Sequence, residues 1–482
     1  MIKNIKLLLL VSLTFIACND DVTTITYDSS DGLPLTAGTA DFSNYVALGD
    51  SYSAGFSDGA LFIEGQKGAF TNVLAQQFAL VGGGEFKTPL MADNIGGLLL
   101  GGNPIQGVRL YFNGAAPVSV TGSPTTEITN HLSGFFNNMG VPGAKSFHLL
   151  APGYGNTAGV ASGTASPYFS RFSSSTTTTV LADALSQNPT FFSLWIGGND
   201  VLGYALSGGD ETNPITPTAT FNGAYNGIVT QMVAGGRKGV VGNLPYVDAL
   251  PHFRTVPYNP VPLDAATITQ LMNNTTGYGK YNGGLQIAFA NNLITADEVA
   301  KRTIAFTAGA GNKVVIEDSY LTNLSGLGIP SIRQATAEDL IVLPASSFIG
   351  TTVGGDPTKV NGVSVPLADK WVLSKDEISE IRTATDAYNI TIQTAANANN
   401  LAFVDLMSLM TQLSTTGVTA NNFTINTTFV SGGAFSLDGF HPSPRGYALI
   451  ANKFIEAINA KYGSNLNGVN LGDYRILFPR SL

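Results

Sequence analysis

Apolar residues along this chain gather in short unbroken runs separated by stretches with a helical period. Tyr45-Val46-Ala47-Leu48 and Phe191-Phe192-Ser193-Leu194-Trp195-Ile196 read as strands buried on both faces, because neither alternates with polar residues. Gly239-Val240-Val241-Gly242-Asn243 and Leu401-Ala402-Phe403-Val404-Asp405 repeat the pattern. Helices are predicted at Gln66 to Val81, Val201 to Leu206, Asn222 to Ala234, Lys375 to Ala398 and Arg445 to Tyr462. Two helix starts carry explicit signals. Ser374 with Glu377 three residues later forms a capping box, and Ser443-Pro444 reads as an N-cap followed by a first helical residue.

The pattern fails in two places. From about 251 to 367 come Pro- and Gly-rich loops with short strand-like runs such as Lys313-Val314-Val315-Ile316. From about 58 to 133 a second irregular stretch includes Gly107 to Phe112, which reads as one strand of a hairpin. Both are expected to be insertions into a single domain spanning 43–482, set near its functional face. No repeat period emerges in either.

Chemistry clusters at the strand ends. Gly49-Asp50-Ser51 directly follows the first apolar run, where a sharp turn lifts Ser51 to the sheet's C-terminal edge. A serine hydroxyl is a poor nucleophile at neutral pH and needs an imidazole to take its proton and a carboxylate to orient that imidazole. Asp438-Gly439-Phe440-His441 supplies both on one short loop. Donors for a developing oxyanion fit two further places: Asn138-Met139-Gly140-Val141-Pro142-Gly143, where Gly143 lets a backbone N–H come close, and Gly197-Gly198-Asn199-Asp200, where Asn199 offers an amide.

Ser51, Gly143, Asn199 and His441, in this order, resemble the four blocks of the SGNH hydrolases, the GDSL esterase/lipase family. The resemblance implies a flavodoxin-like three-layer α/β/α fold with a mostly parallel central sheet. It implies ester hydrolysis through an acyl-serine, with no metal or organic cofactor. By the same resemblance Ser51 is the nucleophile and first oxyanion donor, Gly143 and Asn199 complete the oxyanion hole, His441 is the base and Asp438 orients it. Tyr52 stands where the family often has Leu. The blocks and their flanking elements account for about half of the chain, and the insertions lie outside the resemblance.

Other residues read as structural. Asp200 is expected to cap the helix after it, and Asp50 to accept local backbone N–H groups in its turn. His131, His148 and His252 lack neighbours at metal-ligand spacing. Gly153 to Gly159 has the wrong glycine spacing for a dinucleotide loop, and no Gly-x-Ser-x-Gly elbow occurs to suggest an α/β-hydrolase host for the same triad.

The N-terminus changes the picture of where this chemistry takes place. Lys3 and Lys6 precede an apolar stretch from Leu7 to Ile16, and the chain's single cysteine, Cys18, follows Ala17. This resembles a bacterial lipoprotein signal. Residues 1–17 are then a signal peptide, Cys18 the lipidated first residue, and 18–42 a flexible tether rich in Thr, Ser, Asp and Gly. The expected location is the bacterial cell envelope, lipid-anchored at the outer membrane or secreted. With 12% charged residues and a net charge of −9, nothing suggests a basic surface for nucleic acid. The expected partner is an acyl ester, either a lipid or an acetylated glycan, with carbohydrate O-acetylesterase and non-catalytic glycan-binding lipoprotein as alternatives.

Overall fold

The computed structural model describes residues 29–30 and 32–482. The signal segment, Cys18 and the first part of the expected tether lie outside the described residues.

Five strands form one parallel sheet: β1 (Tyr45–Gly49), β2 (Asn138–Gly140), β3 (Phe191–Trp195), β4 (Lys238–Gly242) and β5 (Ala402–Val404). Their order across the sheet is 2-1-3-4-5. That is the flavodoxin-like order, in which the reversal between β1 and β3 leaves a crevice at the strands' C-terminal ends. The continuous apolar runs arise because β1 and β3 are buried along their whole length. Register completes the arrangement. Gly49 pairs with Gly140 on one side and Trp195 on the other, so the segments following β1, β2 and β3 emerge side by side.

The helices that matter here are α1 (Ser51–Ala54), α2 (Phe70–Ala79), α3 (Val180–Ser186), α4 (Asn199–Leu206), α5 (Thr218–Val233), α6 (Lys375–Ala398), α7 (Leu406–Thr415) and α8 (Pro444–Tyr462). Five of them fall into two packed groups, α2 with α8 and α6 with α4 and α5. Both predicted start signals operate as written. Ser374 and Glu377 form a reciprocal capping box on α6, and the Ser443 hydroxyl accepts the Gly446 N–H at the start of α8, with Pro444 in the first turn. The helix predicted from Gln66 is broken instead. A short helix, Ile63–Lys67, ends at Gly68, and α2 begins afresh after Ala69, whose extended backbone interrupts the path.

The expected insertions differ from their sequence reading in content. α2 sits within 58–133 yet packs on α8, so only the part after it is peripheral, including the hairpin of Leu110–Phe112 with Pro117–Ser119. The stretch 251–367 holds four α-helices, Pro251–Arg254, Ala265–Leu271, Tyr278–Ala290 and Ala296–Arg302, where loops and strand-like runs were expected. Tyr278–Ala290 contains Gly279, Gly283 and Gly284, which weaken any helical signal. Tertiary contacts hold it: Tyr278 and Tyr281 donate their hydroxyls to the Val363 and Ile332 carbonyls, each at 2.6 Å. This region has its own apolar cluster around Leu285, Ile304 and Val315.

The described part of the expected tether also differs. Residues 34–42 are docked, not free. Thr36 N–H donates to Asn465 Oδ1 at 2.7 Å, Thr39 N–H donates to the Tyr462 carbonyl at 2.8 Å, and Phe42 is buried against Phe78 and Phe191. The polar composition concealed this, because the docking uses mainly backbone groups, with the Thr39 hydroxyl on the Tyr462 carbonyl and the Phe42 ring beside them.

Candidate active site

Gly49 ends β1 because nothing larger fits. A Cβ there would lie 2.1 Å from Ser53 Oγ and 2.5 Å from the Trp195 carbonyl oxygen. This close approach lets the chain turn at once into α1. Asp50 caps that helix as expected, its Oδ1 accepting the Tyr52 N–H at 3.0 Å. The Ser51 N–H has no partner among the described residues and stays available. Asp50 itself is buried. Desolvation, with the charge of nearby Asp200 adding to it, pushes its carboxyl up to about 7.

At the other end of the chain, Asp438 and His441 meet directly, with 2.8 Å between Asp438 Oδ2 and His441 Nδ1. The carboxylate is saturated with donors. Oδ2 also accepts the Gly59 N–H at 2.9 Å, while Oδ1 accepts the His441 N–H at 2.9 Å, the Phe440 N–H at 3.0 Å and the Ser436 hydroxyl at 3.1 Å. Burial opposes ionisation here, yet the His441 charge and these bonds outweigh it and hold Asp438 down to about 2. An ionised carboxylate only accepts, so the proton lies on Nδ1 and Nε2 is the ring nitrogen left free for chemistry.

Ser51 Oγ is not hydrogen-bonded to that imidazole; the residues after it supply the connection. Tyr52 donates its hydroxyl to the Phe440 carbonyl at 2.8 Å, and its ring meets the His441 ring edge-on at 5.5 Å. Phe56 lies 4.5 Å from the same imidazole, centre to centre. The structure thus brings Ser51, Asp438 and His441 to one locality.

Asn199 and Ser51 line a single cleft together with Trp195, Leu244 and Pro245. One amide hydrogen of Asn199 goes to the Ala144 carbonyl at 3.0 Å, next to Gly143. Gly143 has φ +78°, with open space where a side chain would start, and its N–H has no partner among the described residues. Asp200 corrects its expected role. The N-cap of α4 is Gly198, and Asp200 lies fully buried in the first turn. Its carboxylate accepts the Ser146 N–H at 2.7 Å and the Ser146 hydroxyl at 2.8 Å. Desolvation raises its pKa despite those bonds. Asp200 therefore straps the Gly143 loop to α4, a role no local sequence signal carried.

Asp58 carries no sequence signal of its role. It sits at φ +51° and is buried, with its N–H on the Ser436 hydroxyl at 2.9 Å and its Oδ1 on the Leu437 N–H at 2.9 Å. Its second oxygen is buried without a partner among the described residues, and burial, aided by the Asp438 charge, pushes the carboxyl up to about 7. A polar residue inside an irregular stretch gave no periodicity to detect. The remaining histidines serve packing. His131 Nε2 pairs with the Ser173 carbonyl, and His148 stacks on Tyr154 while accepting the Lys145 N–H. His252 lies behind the Asp438 loop, where its N–H donates to the Gly439 carbonyl.

A family model described as GDSL-like Lipase/Acylhydrolase matches residues 315–454, which include Asp438 and His441; Ser51, Gly143 and Asn199 lie outside the match. No curated protein matches the chain. Among solved structures, the crystal structure of LAE5, an alpha/beta hydrolase enzyme from the metagenome of Lake Arreo, Spain, is similar at 10% identity. The alignment covers 87% of this chain and 96% of that one, with a TM-score of 0.35.

Proposed function

Taking as premise that the chain is a hydrolase of the GDSL/SGNH family, we propose that it cleaves carboxylic esters through an acyl-serine on Ser51. The three-layer α/β/α SGNH arrangement is part of this reading, supported by the 2-1-3-4-5 strand order and the two helix groups. The observation that carries it is the Asp438–His441 contact of 2.8 Å on a fully satisfied carboxylate, reached from Ser51 through Tyr52 and Phe56.

Ser51 Oγ attacks the ester carbonyl carbon as its proton passes to His441 Nε2, a bond expected to tighten when substrate fills the cleft. The oxyanion takes hydrogen bonds from the Ser51 N–H, the Gly143 N–H and the second amide hydrogen of Asn199. Collapse returns the His441 proton to the departing alkoxide. Water, deprotonated by His441, then attacks the acyl-serine and releases the acid, with Asp438 holding the ring throughout.

The decisive test is Ser51→Ala assayed with p-nitrophenyl acetate, alongside labelling by a fluorophosphonate probe. Loss of both activity and labelling is expected, and full hydrolysis by the variant would overturn the assignment. Lipid anchoring at Cys18 belongs to the same reading. Among the described residues no helix is long and apolar enough to cross a membrane. Cys18→Ser should shift the protein from the membrane pellet to the supernatant, and an unchanged pellet fraction would refute the anchor.

A further inference from the structure

The region 251–367 holds a cleft that the Ser51 chemistry does not use. It measures about 1220 Å³, and none of its lining residues also lines the cleft beside Ser51. Small-molecule sites commonly enclose about 300–1,000 Å³, so this one has room for an extended ligand. One wall is a face of the helix Tyr278–Ala290: Thr276 just before it, then Gly279, Lys280, Gly283, Gly284 and Ile287 recur at helical spacing. Three of those six are glycines, which leaves the helix backbone uncovered. Leu327, Ile329, Pro330 and Ile332 also line the cleft. Ile287 and Leu327 are 66% and 59% exposed, so the cleft keeps apolar surface in water.

The polar lining narrows the ligand. Lys280 is the only charged residue in it, whereas a polyanion such as nucleic acid needs many cations. A peptide added as a strand needs an open row of backbone groups, and here they are taken. The Ile332 and Val363 carbonyls accept the Tyr281 and Tyr278 hydroxyls, the Pro330 carbonyl accepts Arg302 Nη2 at 2.7 Å, and the Val360 N–H donates to Ser364 Oγ at 2.8 Å. Pro330 and Pro357 have no N–H to offer. The exposed amides of Gln270 and Asn274 have no hydrogen-bond partner among the described residues. A hydrocarbon chain would strip their water and put nothing in its place, which is unfavourable. A sugar chain offers hydroxyls to the amides and C–H faces to the apolar wall.

We propose that this cleft is a binding site for a neutral oligosaccharide segment of a polymer, separate from Ser51 and independent of what Ser51 cleaves. Gln270 and Asn274 each bring amide donors and an acceptor to the sugar hydroxyls, and Lys280 adds ammonium donors. The C–H faces of the sugars lie on Ile287, Leu327 and Ile329. The region that holds the polymer is joined to the catalytic loop at its start, where the His252 N–H donates to the Gly439 carbonyl at 2.9 Å. Binding there retains the protein on a polymer.

Affinity electrophoresis of the full chain through gels containing soluble xylan, glucomannan, mixed-linkage β-glucan or pullulan tests the site. Retardation by at least one polymer is expected, and Ser51→Ala should be retarded equally. Gly283→Trp is the sharpest variant. A Cβ at Gly283 meets nothing within 4 Å and the helical backbone there accepts any side chain except proline's, so the indole fills the cleft without displacing its wall. It should weaken the apparent affinity at least tenfold. Gln270→Ala combined with Asn274→Ala should weaken it about tenfold by removing two hydrogen-bonding side chains, and it carries the test if Gly283→Trp does not fold. Both variants should hydrolyse p-nitrophenyl acetate within about twofold of wild type. Absence of retardation in every gel would overturn the proposal, as would retardation that both variants leave unchanged, because the polymer would then sit elsewhere. Binding of unfolded casein or of phosphatidylcholine vesicles that the variants abolish, with no polysaccharide bound, would overturn it in favour of a peptide or lipid site.

Discussion

Two loops converge on Ser51, and they are held in place by different means. The loop from Ser436 to Ser443 is stitched to residues 57–59 by Asp58 with Ser436 and Leu437, by the Gly59 N–H on Asp438, and by the Ser57 hydroxyl on the Pro442 carbonyl. The loop from Val141 to Ser146 hangs from the start of α4, through Asn199 on Ala144 and Asp200 on Ser146. The first loop delivers the Asp438–His441 side-chain pair and needs both the carboxylate charge and the geometry. The second delivers a backbone N–H and needs geometry alone. Damage to the first should therefore remove chemistry, while damage to the second should only misalign it.

The largest expected effect tests the first half of that contrast. Asp438→Asn keeps the shape but presents an amide to Nδ1, favouring the wrong tautomer, and should lower kcat about 10⁴-fold. Turnover of p-nitrophenyl acetate within tenfold of wild type would show that this loop does not supply the base. Next, Asn199→Ala removes an oxyanion donor and should cost about 10²- to 10³-fold in kcat with KM little changed. A loss confined to KM would mean that Asn199 binds ground-state substrate instead. Gly143→Ala probes the geometry of the second loop more gently. There is room for the methyl group, but φ +78° disfavours it by about 1–2 kcal/mol, so kcat should drop about tenfold with the fold intact by circular dichroism. A drop as deep as that of Asp438→Asn would erase the distinction between the loops.

The smallest effect concerns pH. Asp58 has its carboxyl raised from 3.8 to about 7, so the folded state binds its proton more tightly. Its contribution to stability is full below pH 3.8 and is lost as pH rises through about 7. Asp438, lowered to about 2, works in the opposite window, its contribution being present above 3.8 and lost as pH falls toward 2. Asp58→Asn should flatten the fall in melting temperature between pH 4 and pH 7 without touching the acid limb. An unchanged profile would rule out Asp58 as the source of that fall.

What could be read in the sequence was what continuous local pattern carries. The core strands, the α6 capping box and the Ser443-Pro444 start of α8 are local statements, and each is found at or within a residue or two of its expected place. The Asp438–His441 contact was legible because only two residues separate the partners on one loop. Asp58, Asp200 and the Tyr52 hydroxyl were not legible as positioning groups, because their partners lie far along the chain and only the 2-1-3-4-5 topology brings them near. The helices of the 251–367 region failed for a complementary reason. Tyr278–Ala290 draws its stability from Val363 and Ile332, residues no window around its glycines contains.

The docking of the N-terminal segment sets a length scale for the whole molecule. Ser30 N–H is already fixed to Asn467 Oδ1 at 2.9 Å, and Thr36 follows it onto Asn465. If Cys18 carries the lipid, twelve peptide units separate the anchor from Ser30, at most about 40 Å of extended chain. A chain anchored on so short a leash would patrol a thin shell above its bilayer, and its substrates would then be those that reside in, or arrive at, that membrane surface.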